Sequence, residues 1–249
     1  MTGPALPAMR VVDLGRRPYQ PVLELQRDLC RRRMAGALTE DILLLVEHEP
    51  VITLGRGTRA TSLPTAPEAL MRQGFTVVDV ERGGDVTVHE PGQLVGYPIL
   101  DLRHHRPDLH WYLRQLEEAL IVALSGLGIT AGRNPGLTGV WAGGRKIASL
   151  GIHVKQWITF HGFALNVVND LRGFEAVIPC GIDGVIMTSV AREVGRGRDP
   201  RALWAETRAA VVDAMGRAFG RDPIPAALSE LSADDAVRMV PAHSGGALP

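Results

Sequence analysis

The chain has 249 residues, 45% hydrophobic and 22% charged, with 27 Lys+Arg against 27 Asp+Glu. This is a globular composition with room for one large domain or two small ones, and it argues against disorder. A net charge of zero speaks against a general nucleic-acid binder, which carries a basic excess, while leaving local basic patches available to an acidic protein partner. Lys146 and Lys155 are the only lysines, so the other 25 basic residues are arginine. Codon bias accounts for most of that imbalance, yet each lysine then stands where arginine was readily available. An ammonium can lose its proton when desolvated and a guanidinium cannot. Cys30 and Cys180 make neither a disulfide framework nor a zinc spacing. The first residues lack the basic-then-apolar pattern of a secretory signal, and no uncharged apolar run reaches the roughly 18 residues of a membrane span. The expected location is the cytoplasm, with both thiols free.

In chain order, residues 1–9 read as a loose tail. Val11–Leu14 is predicted as a strand. The apolar spacing of Val22, Leu25, Leu29 and Met34, between Pro18 and Gly36, predicts a helix over 18–37. Ile42–Val46 reads as a buried strand, 54–65 as a surface loop and 66–74 as a short helix. Strand-like pieces follow at Phe75–Val80, Val86–Val88, Gln93–Leu100, Val140–Trp141, Lys146–Val154 and Ile158–Val167, interrupted by a helix over Leu109–Leu124. A helix over Pro200–Phe219 comes next, then a small one over Ala226–Val237 with Ser229 or Ser232 as its cap. The elements do not alternate and no GxGxxG follows a strand, so the expected class is α+β with a mixed or antiparallel sheet.

Four segments carry the chemistry. In Arg82-Gly83-Gly84-Asp85-Val86-Thr87-Val88-His89 the paired glycines suit a plain hairpin turn or a loop whose N–H groups approach a ligand. His89 then abuts the Pro91-Gly92 turn, as a hydrogen-bonded core residue or as part of a site. In Gly143-Gly144-Arg145-Lys146-Ile147-Ala148-Ser149-Leu150-Gly151, Lys146 opens an apolar run; it is either a snorkelling surface residue or a pocket lysine. His161-Gly162-Phe163-Ala164 puts a glycine inside a strand, where a ligand or another backbone can come close. In Ile178-Pro179-Cys180-Gly181, a turn presents Cys180, whereas Cys30 beside Leu29 in an amphipathic helix reads as packing.

Together these segments resemble the lipoyl(octanoyl) transferases. The shared pattern is Arg-Gly-Gly…Thr…His…Pro-Gly-Gln…Tyr-Pro-Ile at 82–99, Gly-Val-Trp…Lys-Ile-Ala…Gly at 139–151, His-Gly…Ala-Leu-Asn at 161–166, and Pro-Cys-Gly-Ile followed by Thr188-Ser189. It covers roughly 11–222 and departs at Val88 and Val190, positions that touch pocket shape. The resemblance implies a mixed sheet with packed helices, as in biotin and lipoate protein ligases. It implies one catalytic domain over 10–222 and a C-terminal extension over 223–249, partly helical and then flexible. It implies a Cys180/Lys146 dyad, an acyl-binding loop at Arg82–His89, further substrate contacts at Ser149, Leu150, Gly151, Gly162, Phe163 and Ala164, and a supporting role for His161. Backbone N–H groups of a turn at Ser149–Gly151 or at Gly181 would meet the oxyanion.

The expected reaction moves octanoyl from acyl carrier protein through a Cys180 thioester to a lysine of a lipoyl domain, in 2-oxoacid dehydrogenase complexes or the glycine cleavage H protein. No cofactor, metal, nucleic acid or membrane is expected. The alternatives are an ATP-dependent lipoate or biotin ligase on the same fold, a Cys180/His161 hydrolase, and a protein in which Cys180 is structural. Arg56, Arg59, Arg145 and Arg192 are candidates for a carrier-docking face.

Overall fold

The structure is a computed structural model, and it describes residues 6–178, 184–195 and 197–231. Strand β1 (Ala8–Arg17) leads into α1 (Tyr19–Met34), which begins after Pro18 and ends with Arg31, Arg32 and Arg33. Three guanidiniums in a last turn suit the negative end of a helix dipole. Strands β2 (Asp41–His48) and β3 (Val51–Leu54), helix α2 (Pro67–Arg72), and strands β4 (Thr76–Asp79), β5 (Val86–His89) and β6 (Gln93–Ile99) follow. Helix α3 (Leu109–Gly126) starts where the Asp108 side chain accepts the Trp111 N–H, satisfying one of the free donors of the first turn. Strands β7 (Ala131–Asn134), β8 (Leu137–Ala142), β9 (Arg145–Lys155) and β10 (Ile158–Asn166) form a meander. Helix α4 (Val190–Val194) is short. Helix α5 (Pro200–Phe219) is capped by Asp199, carries Pro200 in its first turn and ends at Gly220 in the left-handed conformation. Strand β11 (Asp222–Pro225) closes the order.

Among the described residues, eight strands make one mixed sheet in the order β11-β1-β2-β6-β10-β9-β8-β7, and three make a second in the order β4-β3-β5. Strands β11, β1 and β2 run parallel; from β2 onward each neighbour in the large sheet is antiparallel. Strand β2 shows why a continuous apolar run was needed at the centre. Leu43 and Leu45 face the core under α3 and α5, while Ile42, Leu44 and Val46 face the core under α1. With both faces covered, period-2 alternation loses its polar half. A third core, with Ile52, Val86, Val88 and Phe174, lies beneath the small sheet. The fold is α+β, as expected.

Three strands were not anticipated. Strand β3 follows β2 after only Glu49-Pro50, and β7 is a four-residue piece with a glycine in it. Strand β11 reads Asp-Pro-Ile-Pro and, among the described residues, pairs with β1 alone; prolines are tolerated at the edge of a sheet, where their missing N–H faces no partner. The expected boundaries at 10 and 222 therefore fall inside the fold. Met9 is fully buried, residues 222–225 belong to the large sheet, the Ala226 N–H donates to Val11 O, and Leu231 is buried in the α1-side core. Of the small helix expected over Ala226–Val237, the described part is a single 3-10 turn at Leu228–Leu231; Ser232 and the remainder lie outside the described residues. No helix among the described residues is long and apolar enough to cross a membrane.

Candidate active site

A cleft lies between the β9–β10 pair and the loop that follows β4. It holds about 560 Å³ of space, its open mouth included. Its walls carry Lys146, Ser149, Leu150 and Gly151 from β9, His161, Gly162, Phe163 and Ala164 from β10, and Arg82, Gly84, Asp85, Val86, Thr87 and His89 from the loop and β5. Three sequence-distant stretches thus converge on one cavity. Two residues expected there stand elsewhere. Val88 pairs with Ile52 and faces the third core. Gly83 turns its N–H to Ile152 O, 2.8 Å away, and does not line the cavity. Cys180 lies outside the described residues.

Arg82 is a buried brace for its own loop. It donates to Thr53 O and Oγ1, both at 2.8 Å, to Asp85 O at 2.7 Å and to Gly83 O at 3.2 Å. The stretch 55–57, expected to be open surface, supports the same loop: Arg56 N–H donates to Arg82 O and Gly57 N–H to Gly84 O. A Cβ at Gly55 would stand 2.4 Å from Gly84 O, so only glycine lets the two backbones meet. Ser62 completes the brace through its hydroxyl, 2.6 Å from Asp85 Oδ2.

Lys146 is buried, at 2% exposure, so the surface-lysine alternative fails. Its Nζ lies 5.7 Å from the ring centre of Trp141, its β8 partner. A Cβ on Gly139 would lie 2.7 Å from Lys146 Cε and 3.3 Å from Nζ, and Gly139 has φ +136°. Space and backbone conformation both demand glycine there. The Gly139 N–H is held in turn by Glu117 Oε1 at 3.1 Å. The lysine main chain is also fixed from the other side, its N–H donating to Ile186 O and its C=O accepting from Thr188 N–H.

Tyr19, Val95 and Tyr97 complete the cavity; nothing in their local sequence marked Tyr19 or Val95, whereas Tyr97 belongs to the Tyr-Pro-Ile pattern. Tyr19 stacks on His89 with ring centres 5.9 Å apart, and His48 packs against Tyr19, His89 and Tyr97. Tautomers follow from the partners. His48 Nδ1 faces Arg17 O at 3.1 Å and must donate, so Nε2 accepts from the Tyr97 hydroxyl at 2.8 Å. Burial pushes the His48 pKa down to about 4 and keeps the ring neutral. Burial also holds His89 well below the ordinary histidine value. His89 Nδ1 donates to Gln93 Oε1 at 2.8 Å, because the Gln93 amide is committed to Val88 O and Asn166 Oδ1. Asn166 continues to Thr188 O at 3.0 Å, which leads back to the Lys146 main chain. His89 therefore belongs to a hydrogen-bonded network that ends at the lysine strand.

Ser149–Gly151, expected at a turn, lies within β9 with Ser149, Leu150 and Gly151 paired to Ala164, Phe163 and Gly162. Of the four candidate docking arginines, Arg56 and Arg59 are exposed beside the braced loop, Arg145 pairs with Glu193, and Arg192 reaches Asp170 O.

The fold is that of the lipoate-protein ligases. A lipoate-protein ligase A bound with ATP superposes with TM-score 0.67 at 17% identity, covering 90% of both chains. The bipartite lipoate protein ligase of Thermoplasma acidophilum does so with TM-score 0.68 at 16% identity, covering 90% of this chain and 88% of that one. The sequence pattern of the lipoyl protein ligase A/B catalytic domain matches residues 18–216. Within that class the similarity is far higher to one activity. The octanoyltransferase of Synechococcus elongatus is 46% identical over 90% of this chain and 93% of its own length, and that of a Nostoc species 47% identical over 83% and 90%. The chain belongs to the octanoyltransferases of the lipoyl protein ligase A/B catalytic domain family, and it is an acyltransferase acting in lipoylation.

Proposed function

We propose that the octanoyl group is taken from octanoyl-acyl carrier protein, held as a thioester on Cys180, and passed to a lysine of a lipoyl domain, in 2-oxoacid dehydrogenase complexes or the glycine cleavage H protein. One observation carries this reading: both flanks of residues 179–183 are tied to the cleft that contains Lys146. Ile178 N–H donates to Ser62 O, and Ser62 holds Asp85 of the braced loop. On the far side, Ile186 O receives the Lys146 N–H.

The Cys180 thiolate attacks the carbonyl carbon of the donor thioester, a new C–S bond forms, and the carrier thiol leaves. One thioester replaces another, so no ATP is consumed. The acceptor amine then attacks the acyl-enzyme, an amide forms, and Cys180 departs as thiolate. Lys146 supports the thiolate in the first step and takes or relays the amine proton in the second. The apolar stretch of the cleft along Leu150, Phe163 and Ala164 receives the chain, at about 0.8 kcal/mol for each buried methylene. Arg82, Gly84, Asp85, Val86, Thr87 and His89 bound it on the opposite side. A reducing cytoplasm would keep Cys180 available as a thiol.

The test is intact mass after mixing with octanoyl-acyl carrier protein without ATP, for wild type and Cys180→Ser. The expected result is one octanoyl adduct on wild type only, discharged by a lipoyl domain. Absence of an adduct on wild type, with ATP-dependent transfer that survives Cys180→Ser, overturns the reading in favour of a ligase.

A further inference from the structure

The cleft has two ends, and strand register measures the distance between them. The Lys146 amine lies in the neighbourhood of Ala148 O, since the space above Gly139 is 3.3 Å from Nζ and 2.8 Å from Ala148 O, and Ala148 marks that end. His161 pairs with Ile152. Four residues of extended strand separate those levels, about 13 Å. An extended octanoyl chain has seven C–C links at about 1.25 Å each along its axis, and the sulfur and the terminal methyl bring its reach to roughly 12–13 Å.

His161 is held firmly where that chain would end. It is 1% exposed, and its backbone takes φ +56° inside β10, a conformation costly for residues with a β-carbon. Its N–H donates to Gln26 Oε1 at 2.9 Å, and its ring stacks on Phe160 with centres 4.9 Å apart. Among the described residues neither ring nitrogen has a hydrogen-bond partner; the polar neighbour of Nε2 is Glu81, whose Oε2 stands 3.8 Å away. Behind the ring is a second cavity of about 660 Å³, open to solvent, whose walls include Cys30, Met34, Phe160 and Glu81. Phe160 and Glu81, which contact His161, line that second cavity, whereas His161 itself lines the first. His161 on one side, with Phe160 and Glu81 on the other, lies between the two.

We propose that His161 is a specificity-determining residue that closes the inner end of the acyl site and sets its limit at about eight carbons. The inference rests on octanoyl running from the Lys146 end of the cleft toward His161. A longer chain must displace a buried ring whose backbone is held at positive φ.

The experiment measures amide products on a lipoyl domain from competing octanoyl-, decanoyl- and dodecanoyl-acyl carrier proteins. Wild type, His161→Gly and His161→Asn are compared, with folding checked by thermal melting. Glycine and asparagine both tolerate the positive φ. Wild type should favour octanoyl. In His161→Gly the decanoyl-to-octanoyl ratio should rise about tenfold, the gain from burying two more methylenes; His161→Asn should show a smaller rise. Equal use of all three chains by wild type, or an unchanged ratio in either folded variant, overturns the proposal. Failure of wild type to transfer octanoyl from the carrier defeats instead the reading on which it rests.

Discussion

Asp41 and His161 are almost equally inaccessible, at 2% and 1% exposure, yet their surroundings are opposite. Asp41 receives Arg33 at 2.8 Å on one oxygen, and His105 at 2.8 Å and Arg221 at 2.7 Å on the other. Burial alone would raise its pKa, but the His105 hydrogen bond and the charges of His105, Arg221 and Arg33 outweigh it and hold the carboxyl below its ordinary value. The cluster fastens α1, β2, the turn before α3 and the start of β11, far along the chain from the cleft residues. At His161 the ring nitrogens have no hydrogen-bond partner among the described residues, Glu81 Oε2 stands 3.8 Å from Nε2, and the backbone is held at positive φ. The Asp41 carboxylate is fully engaged where it ties elements together, because a buried charge left unpaired costs stability. The His161 ring instead borders a cavity.

Four measurements sharpen or break that contrast. Lys146→Met should lower kcat/KM for octanoyl transfer about 10³-fold or more, on the scale of losing a positioned proton carrier, while leaving the melting temperature close to wild type; a drop below tenfold would remove the lysine from the chemistry. Asp41→Ala should do the reverse. It strands two buried guanidiniums and should cost about 3–5 kcal/mol, read from urea unfolding, with kcat/KM of the folded fraction nearly unchanged.

Acid titration comes third. The folded His48 pKa of about 4 lies below the 6.5 of the free ring, so between those values the unfolded chain binds more protons. Stability should therefore decline as pH falls from 6.5 to 4, by up to about 3 kcal/mol from this residue, and His48→Gln should flatten the slope. His89 and His161, also depressed by burial, add to the decline in the same direction. The Asp41 contribution is lost only at lower pH, as its carboxylate protonates. Smallest is Tyr97→Phe, which leaves His48 Nε2 without its donor and should cost about 1–2 kcal/mol in the same unfolding assay.

Much of the scaffold could be read from local pattern. Helices α1, α3 and α5 follow from apolar spacing and from Pro18, Asp108, Pro200 and Gly220 at their ends, because caps and period are local properties. Strands β3, β7 and β11 could not: β3 follows Pro50 directly, β7 carries a glycine and β11 two prolines, and each owes its existence to a neighbour. In the cleft, the residues that carry a recognisable pattern (Lys146, the Arg82 loop, His161-Gly162) were legible. Their supports were not: Gly55 and Ser62 under the loop, Tyr19 beside His89.

Sequence by itself determined the class of the fold, the family and the chemical types in the cleft, because these reside in residue identity and spacing along the chain. Only tertiary structure decided that Lys146 is buried against Gly139, that Arg82 braces its own loop, that Val88 faces the third core, and that His161 lines the cleft beside two residues of another cavity. Each of those depends on which element lies beside which, and for the strand residues a register shift of one would send the side chain to the opposite face.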